Sequence, residues 1–444
     1  MSKSLRIAML VPCPFPANHG TPGAIRELCG ALGERGHKVE IVTYPLCDES
    51  IPVDGLVIHR VAALGANRKI TVGPSWQRLG FDALLVPKLI QTIRNLGADI
   101  IHAHNFEGVL AGFPARLITG RPLIYNAINT MTDELHTYDF IRPKAAAIGL
   151  GRLLDFWAPR LANYVIADTQ QLYEFMLKQG ISSDRAEVVP SGVNVSMFAG
   201  KNGRTIRERY GLLDKPLIIY TGTFDRFQGI DELIAGFPEV VSKCPDAILM
   251  LVGGTVNEAH VEHYRRRAEE LNIGSNVLIT SAGFDQIPEY LAAADVTVVP
   301  RVCQTAGGIP TKLLNYMAAA KPVVCHKSSA SFLNHLESAW LVRNGEPREF
   351  ADGILSILGD PALAARLGGN ALRLADTTYS WSSIARRVEE VYLKVLGLKK
   401  DSAVSKDIAV RTPDVFPGQN SPVQPLPVSH LHRGGDGLTR EPRL

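Results

Sequence analysis

Short, uninterrupted apolar runs alternate along the chain with longer stretches in which apolar residues recur every three or four positions. In the first half the runs are "RIAMLVP", "KVEIVTY", "LVIHRV", "ADIIHAH", "PLIYNA", "NYVIAD" and "AEVVP". In the second half they are "KPLIIYTG", "AILMLVGG", "NVLITSAG", "DVTVVP" and "KPVVCH", with "AWLV" as a short last one. Strand-length runs separated by helix-period segments, continuing to about residue 345, mark βαβ units and parallel sheets, whose strands are buried on both faces. The pattern predicts two doubly wound α/β domains, each placing ligands at the carboxyl ends of its strands, with a deep cleft where two such sheets face one another.

Two interruptions divide the chain. "PSGVNVSMFAGKNGRT", polar and glycine-bearing, has neither helix nor strand period and reads as a linker near residues 191–205. From Lys399 onward, "KKDSAVSKDIAVRTPDVFPGQNSPVQPLPVSHLHRGGDGLTREPRL" is rich in proline, glycine and charge and poor in bulky apolar residues. Such a segment buries too little surface to offset its ordering entropy, so residues 399–444 are expected to be disordered. Between these lie residues 1–195, residues 196–380, and an amphipathic segment over 381–398 that begins "WSSIARRVEEVYLKVL".

Composition narrows the class. A chain of 444 residues suggests roughly two or three domains at about 150 residues each. The formal net charge of +3 is too mild for a nucleic-acid footprint. Six cysteines, at 13, 29, 47, 244, 303 and 325, form no CxxC pair and read as reduced thiols of a cytoplasmic protein. "MSKSLRIAMLVP" runs straight into a strand without a cleavage site, and no uncharged apolar run is long enough to span a bilayer.

The candidate chemistry gathers in "TAGGIPTKLLNYMAAAKPVV", Thr305 to Val324, which follows the run "DVTVVP". Gly307 and Gly308 let the backbone approach a ligand, and Pro310 suits the first position of a helix. The amides of that first turn and the helix dipole favour an anion, and Lys312 adds a formal charge. The bland alternative is a tight loop with Lys312 on a solvated face. His104, at the end of the run "IIHAH", is expected to face the cleft as a general base or hydroxyl partner, while His102 is expected in the core. A dinucleotide-dependent oxidoreductase would need GxGxxG straight after a strand, whereas the first run leads into "PCPFPANHG".

Five segments in order resemble glycosyltransferase family 4, of the GT-B fold. They are "PFPANHGTPGAIRELCGALGERGHKVEIVTY", "ADIIHAHNFEGVLAGFPARL", "VVPSGVNVSMF", "YTGTFDRFQGIDELIAGF" and "GGIPTKLLNYMAAAKPVV". The resemblance extends to about residue 397. It implies two Rossmann-like domains about a central cleft, an acceptor held by the first and a nucleotide sugar by the second, with the helix from Trp381 crossing back onto the first. It implies hexosyl transfer to a hydroxyl with retention of configuration, the donor being a co-substrate and no cofactor being required. No DxD triplet occurs, so helix dipole and basic side chains take the place of a metal ion.

On the same resemblance, His104, Arg226 and Lys312 serve the reaction. Gly20, Gly222, Thr223, Gln228, Gly253, Gly283, Gly307, Gly308, Ile309, Thr311 and Asn315 line the donor, and Asn129, Asp133 and Glu134 the acceptor. Four customary family side chains are replaced: glutamates by Asn315 and Gly307, and the diphosphate-binding arginine and lysine by Thr223 and Gln228, with Arg226 as a nearby substitute. A histidine of the N-terminal domain also falls on Ile128. The rival these replacements raise is a GT-B binding or scaffolding protein with reduced or no turnover. Asp133 and Glu134 also read as acids favoured in a first helical turn.

Two basic stretches complete the reading. One contains Arg68, Lys69, Arg78, Lys88 and Arg94 against Asp82, the other Arg142, Lys144, Arg152 and Arg160 against Asp155. Solvated helix faces are the ordinary account; the alternative is peripheral contact with anionic lipid at the inner face of a membrane. The expected partners are a nucleotide sugar and a glycan, lipid-linked or small-molecule acceptor.

Overall fold

The computed structural model describes residues 3–17, 20–53, 55–63, 76–137, 141–254, 257–302 and 308–398. The segment from Lys399 on, whose disorder the composition predicts, lies outside the described residues, as do Gly307, Arg68 and Lys69.

The first half runs β1 (Arg6–Val11), α1 (Gly20–Glu34), β2 (Lys38–Thr43), β3 (Val57–Arg60), α2 (Trp76–Leu96), β4 (Ile100–His104), α3 (Asn105–Thr119), β5 (Leu123–Ala127), α4 (Met131–Glu134), α5 (Lys144–Leu161), β6 (Tyr164–Ala167), α6 (Gln170–Lys178) and β7 (Ala186–Val188). The second runs α7 (Arg204–Tyr210), β8 (Leu217–Thr221), α8 (Ile230–Lys243), β9 (Ile248–Gly253), α9 (Glu258–Glu270), β10 (Val277–Ser281), α10 (Ile287–Ala293), β11 (Val296–Val299), α11 (Thr311–Ala318), β12 (Val323–His326), β13 (Trp340–Val342), α12 (Pro347–Gly359), α13 (Pro361–Thr377) and α14 (Trp381–Val395). Each strand falls inside one of the apolar runs quoted above.

The strands form two parallel sheets, a seven-stranded one in the order β3-β2-β1-β4-β5-β6-β7 and a six-stranded one in the order β10-β9-β8-β11-β12-β13. Both are doubly wound: the chain steps outward from β1 in one direction and resumes at β4 on the other side, and β8 and β11 repeat the device. The inner strands β1, β4, β8 and β9 are buried almost throughout, which is why they read as continuous apolar runs.

Each sheet has a core on both faces. In the first, Phe81, Leu85 and Leu89 of α2 and Val109 of α3 pack on one face. Ile25 and Leu32 of α1 pack on the other, together with Ile384, Val388 and Tyr392 of α14. The last helix therefore belongs to the first core although it follows the second in sequence. The chain passes between the halves twice, at Val193 and at Tyr379–Trp381, and the two crossings are joined: Val193 N donates to Tyr379 O at 2.7 Å and Trp381 N to Val193 O at 3.3 Å.

The carboxyl ends of the two sheets face one another. A Cβ placed on Gly308, in the loop after β11, would stand 2.6 Å from Asp168 Oδ2, just past β6, and 3.9 Å from Ile128, just past β5. Among the described residues, no helix is long and apolar enough to cross a membrane.

Candidate active site

The switch point of the second sheet, where β8 and β11 lie side by side and their outgoing loops diverge, is where an open α/β sheet offers a crevice. The loop after β8 opens on Gly222, with φ of +137°, and a Cβ there would lie 2.6 Å from Lys312 Nζ. Only glycine leaves room for the lysine. Lys312 is the second residue of α11; Pro310 precedes the helix as its cap, one position earlier than the sequence suggests.

Lys312 does not lie on a solvated face. Its ammonium donates to the Tyr220 hydroxyl at 2.6 Å and to Gln228 Oε1 at 2.9 Å, and it stands 4.1 Å from the centre of the Tyr220 ring. The Tyr220 hydroxyl in turn donates a hydrogen bond to Thr223 O at 2.7 Å, and Gln228 Nε2 donates to Thr223 Oγ1 at 3.1 Å. Burial, and then the like charge of Arg301, pull the Lys312 ammonium down to about 7, against the opposing pull of Asp225. Among the described residues no carboxylate is ion-paired with it. A desolvated cation held by neutral acceptors is a site prepared for an anion.

Thr223 and Gln228, which take the places of a customary arginine and lysine, thus act as struts of Lys312. Arg226 stands in the same loop but is exposed, on the short turn Arg226–Gln228. Arg301, just past β11 with its guanidinium 5.2 Å from the centre of the Phe227 ring, is the second cation at this point. Sequence reasoning missed it because one arginine after a strand carries no pattern. One turn beyond Lys312, Asn315 is buried and its side chain makes no hydrogen bond with the described residues. Gly308 and Ile309 are half-buried on the approach to α11, and Thr311 is exposed. Gly253 and Gly283 lie at and just past the ends of β9 and β10; Gly253 O accepts from Ala282 N at 2.8 Å. Gly20 is exposed at the start of α1.

On the opposing sheet, His102 is in the core as expected, with Nδ1 2.6 Å from the Tyr392 hydroxyl and Nε2 3.3 Å from Asn126 Oδ1. His104 departs from expectation: it is buried too, stacked on His102 with ring centres 4.6 Å apart, and its Nε2 lies 3.1 Å from Met9 Sδ. It lines a small cavity with Thr21, Asn126, Asp168, Ser191 and Trp381 instead of projecting into an open cleft. Burial, and then the neighbouring His102, hold His104 well below the ordinary histidine value, so it is a neutral ring at physiological pH.

Two carboxyls that no sequence pattern flagged stand out here. Burial pushes Asp168 up to about 7, opposed by hydrogen bonding from Ser191. Burial likewise pushes Glu107, in the first turn of α3, up to about 8, with the charges of Asp82 and Glu134 adding to the effect. The predicted acceptor residues sit together past β5. Asn129 donates to Glu134, and Thr130 Oγ1 donates to Asp133 Oδ2 at 2.5 Å. Asp155 of α5 fixes this turn, accepting from Met131 N at 2.7 Å and Thr132 N at 2.9 Å.

The chain is similar to known proteins in sequence and fold. Residues 20–197 match the family model described as Glycosyltransferase Family 4, and residues 215–360 the one described as Glycosyl transferases group 1. The D-inositol 3-phosphate glycosyltransferase of Thermobispora bispora is 27% identical over 394 residues, covering 84% of this chain and 89% of that protein. The GDP-mannose-dependent alpha-(1-6)-phosphatidylinositol monomannoside mannosyltransferase of Mycolicibacterium smegmatis is 28% identical over 216 residues, covering 46% and 55%. Among solved structures, sucrose-phosphate synthase of Thermosynechococcus elongatus superposes with a TM-score of 0.69 at 21% identity, covering 88% of this chain and 99% of that one. Anabaena HepE with UDP and glucose gives 0.67 at 19%, covering 87% and 99%. At these identities the structural likeness speaks for the fold.

Proposed function

Since the chain belongs to glycosyltransferase family 4 and is a hexosyl-transferring enzyme that uses a nucleotide sugar, we propose that it transfers its sugar to an acceptor hydroxyl with retention of configuration and without a metal ion. The observation that carries this reading is Lys312, desolvated, unpaired with any described carboxylate and held by Tyr220 and Gln228 at the switch point. In the transfer the bond between the anomeric carbon and the diphosphate breaks, and negative charge grows on the departing oxygen. Lys312 and Arg301 stand where that charge develops, which is where fixed donors lower a barrier most. The acceptor hydroxyl attacks from the face the diphosphate leaves, and its proton passes to the departing phosphate oxygen.

Gly308 and Ile309 bring backbone to the diphosphate, Asn315 meets the ribose diol, and the turn at Asn129–Glu134 meets acceptor hydroxyls. Use of a nucleotide-sugar donor supports a reaction in the cytoplasm. The relatives named for D-inositol 3-phosphate and for phosphatidylinositol monomannoside make phosphorylated inositols the first acceptors to try. A scaffold without turnover is the less favoured reading, because the relatives are named as glycosyltransferases.

The test is incubation with UDP-glucose or GDP-mannose and inositol 3-phosphate in the presence of EDTA, followed by NMR of the product. An anomeric coupling that keeps the donor's configuration, formed at an undiminished rate in EDTA, is expected. An inverted product, or turnover abolished by EDTA and restored by a divalent ion, would overturn the retaining or the metal-free part.

A further inference from the structure

The helix α5 presents to solvent a face that a solvated helix does not need. Leu150, Leu153, Phe156 and Trp157 recur at helical spacing and are all exposed, Leu153 by 54% and Trp157 by 52%. The opposite stripe, Ala147, Gly151 and Ala158, is the buried one. Arg116 donates to Leu161 O at 2.6 Å, tying the end of α3 beside the end of α5, and the exposed Leu117 and Ile118 of α3 flank that tie.

The described charges on this face have one sign. Arg152, one turn before Phe156, is exposed and forms no ion pair among the described residues, whereas Lys144 falls on the line of the buried Ala147 and Gly151. Arg160 lies over the Phe156 ring at 3.6 Å, donates to the carbonyls of Phe156 and Gln179, and forms no ion pair among the described residues. The sole acid of α5, Asp155, is occupied by the backbone of Met131 and Thr132 and so does not neutralise them. Aromatic and aliphatic residues in a row, edged by arginine and with no free acid on α5, form the surface of a helix that lies in the headgroup region of a bilayer.

We propose that the outward face of α5 docks the protein on an anionic lipid surface, with Leu153, Phe156 and Trp157 entering the acyl boundary and Arg152 and Arg160 meeting lipid phosphates. The same helix holds α4 through Asp155 and the close approach of Met131 to Gly151 on its buried stripe, so docking leaves the acceptor turn at Asn129–Glu134 with only α5 between it and the lipid. This goes beyond the proposed reaction and does not depend on the identity of the donor.

Flotation of the full chain with phosphatidylcholine vesicles, with and without phosphatidylglycerol, tests it. Binding to the anionic vesicles, weakened by salt, is expected, with roughly tenfold less bound to neutral ones. Two variants, L153S/W157S and R152E, should each lose this binding while keeping the parent's melting temperature, since all three side chains are exposed. If L153S/W157S fails to fold, Arg152→Glu still reports the charge dependence. The proposal is overturned if the parent does not float with anionic vesicles or if both variants bind as the parent does. It is equally overturned if sedimentation shows a parent dimer that L153S/W157S dissociates while vesicle binding is absent, because a second copy then covers the face.

Discussion

Lys312 Nζ donates to the Tyr220 hydroxyl at 2.6 Å while standing 4.1 Å from the centre of the same ring, so one tyrosine holds the ammonium by its edge and by its face. The lysine is thereby fixed before any anion arrives. Replacing Lys312 with alanine should weaken nucleotide-diphosphate binding by roughly 1.5 to 3 kcal/mol, the range for hydrogen bonds to charged groups. Lys312→Met should lose the same affinity and yet melt no lower than the parent, because it removes a desolvated charge and keeps the volume. Calorimetry with UDP and GDP, beside thermal melts, reads both; unchanged affinity in both variants would remove Lys312 from the site.

The lowered lysine also predicts a pH dependence. With the free-state value at about 7, Lys312 is protonated below that pH and progressively neutral above it. A bound diphosphate favours the charged form, so binding takes up a proton above pH 7 and affinity for a nucleotide sugar should fall as pH rises. Stability runs the other way. The unfolded lysine holds its proton up to about 10.4, so the cost of burying the charge is full below pH 7 and fades between there and that value. Enthalpies measured in buffers of different ionisation heat will show the uptake, and Lys312→Met should abolish it.

Gly308 and Asp168 should behave as a coupled pair. A Cβ at Gly308 meets Asp168 Oδ2 at 2.6 Å, so Gly308→Ala should destabilise the parent by about 1 to 3 kcal/mol. In an Asp168→Ala background the same change should cost clearly less, by a coupling of at least about 0.5 kcal/mol. Additive losses in denaturant unfolding would mean the two do not meet.

Asn315 is buried one turn from Lys312 and its side chain is free of hydrogen bonds to the described residues. Asn315→Glu should give a ribose diol a charge-assisted partner and tighten UDP binding by about 1 kcal/mol, close to fivefold. The corresponding 2',3'-dideoxy nucleotide should gain nothing. Equal gains for both, or weaker UDP binding, would take Asn315 off the ribose.

Tyr392→Phe should cost about 1 to 3 kcal/mol, since it leaves His102 Nδ1 buried without its partner 2.6 Å away. Truncation before Trp381 should cost far more, because it strips Ile384, Val388 and Tyr392 from the core on β1. A melting temperature unchanged by the truncation would show that α14 is not part of that core.

The thirteen strands among the described residues were legible because strands buried on both faces must be apolar throughout, and the loop leading to Lys312 because a proline followed by a basic first turn has a local cause. What the lysine bonds was not legible: Tyr220 is 92 residues away, and nothing local to either marks the pair. The burial of His104 was missed for a related reason. Strand alternation assigns a side chain to a face but does not say that α1 and α14, one of them drawn from the far end of the chain, close over that face. Asp168, the last residue of the run "NYVIAD", carries no local mark; its prominence comes from its burial and from the approach of Gly308 from the other sheet.

The paired crossings at Val193 and Tyr379–Trp381 bear on how the two halves can travel. A lobe tethered by one strand can swivel about it like a flag on a pole. Tethered by two chain segments bonded side by side, it is held more like a door on a double-pinned jamb, with fewer ways to turn about the gap between Gly308 and Asp168. A protease cut in either crossing would leave the lobes attached through the other, but with that restraint turned into a loose swing.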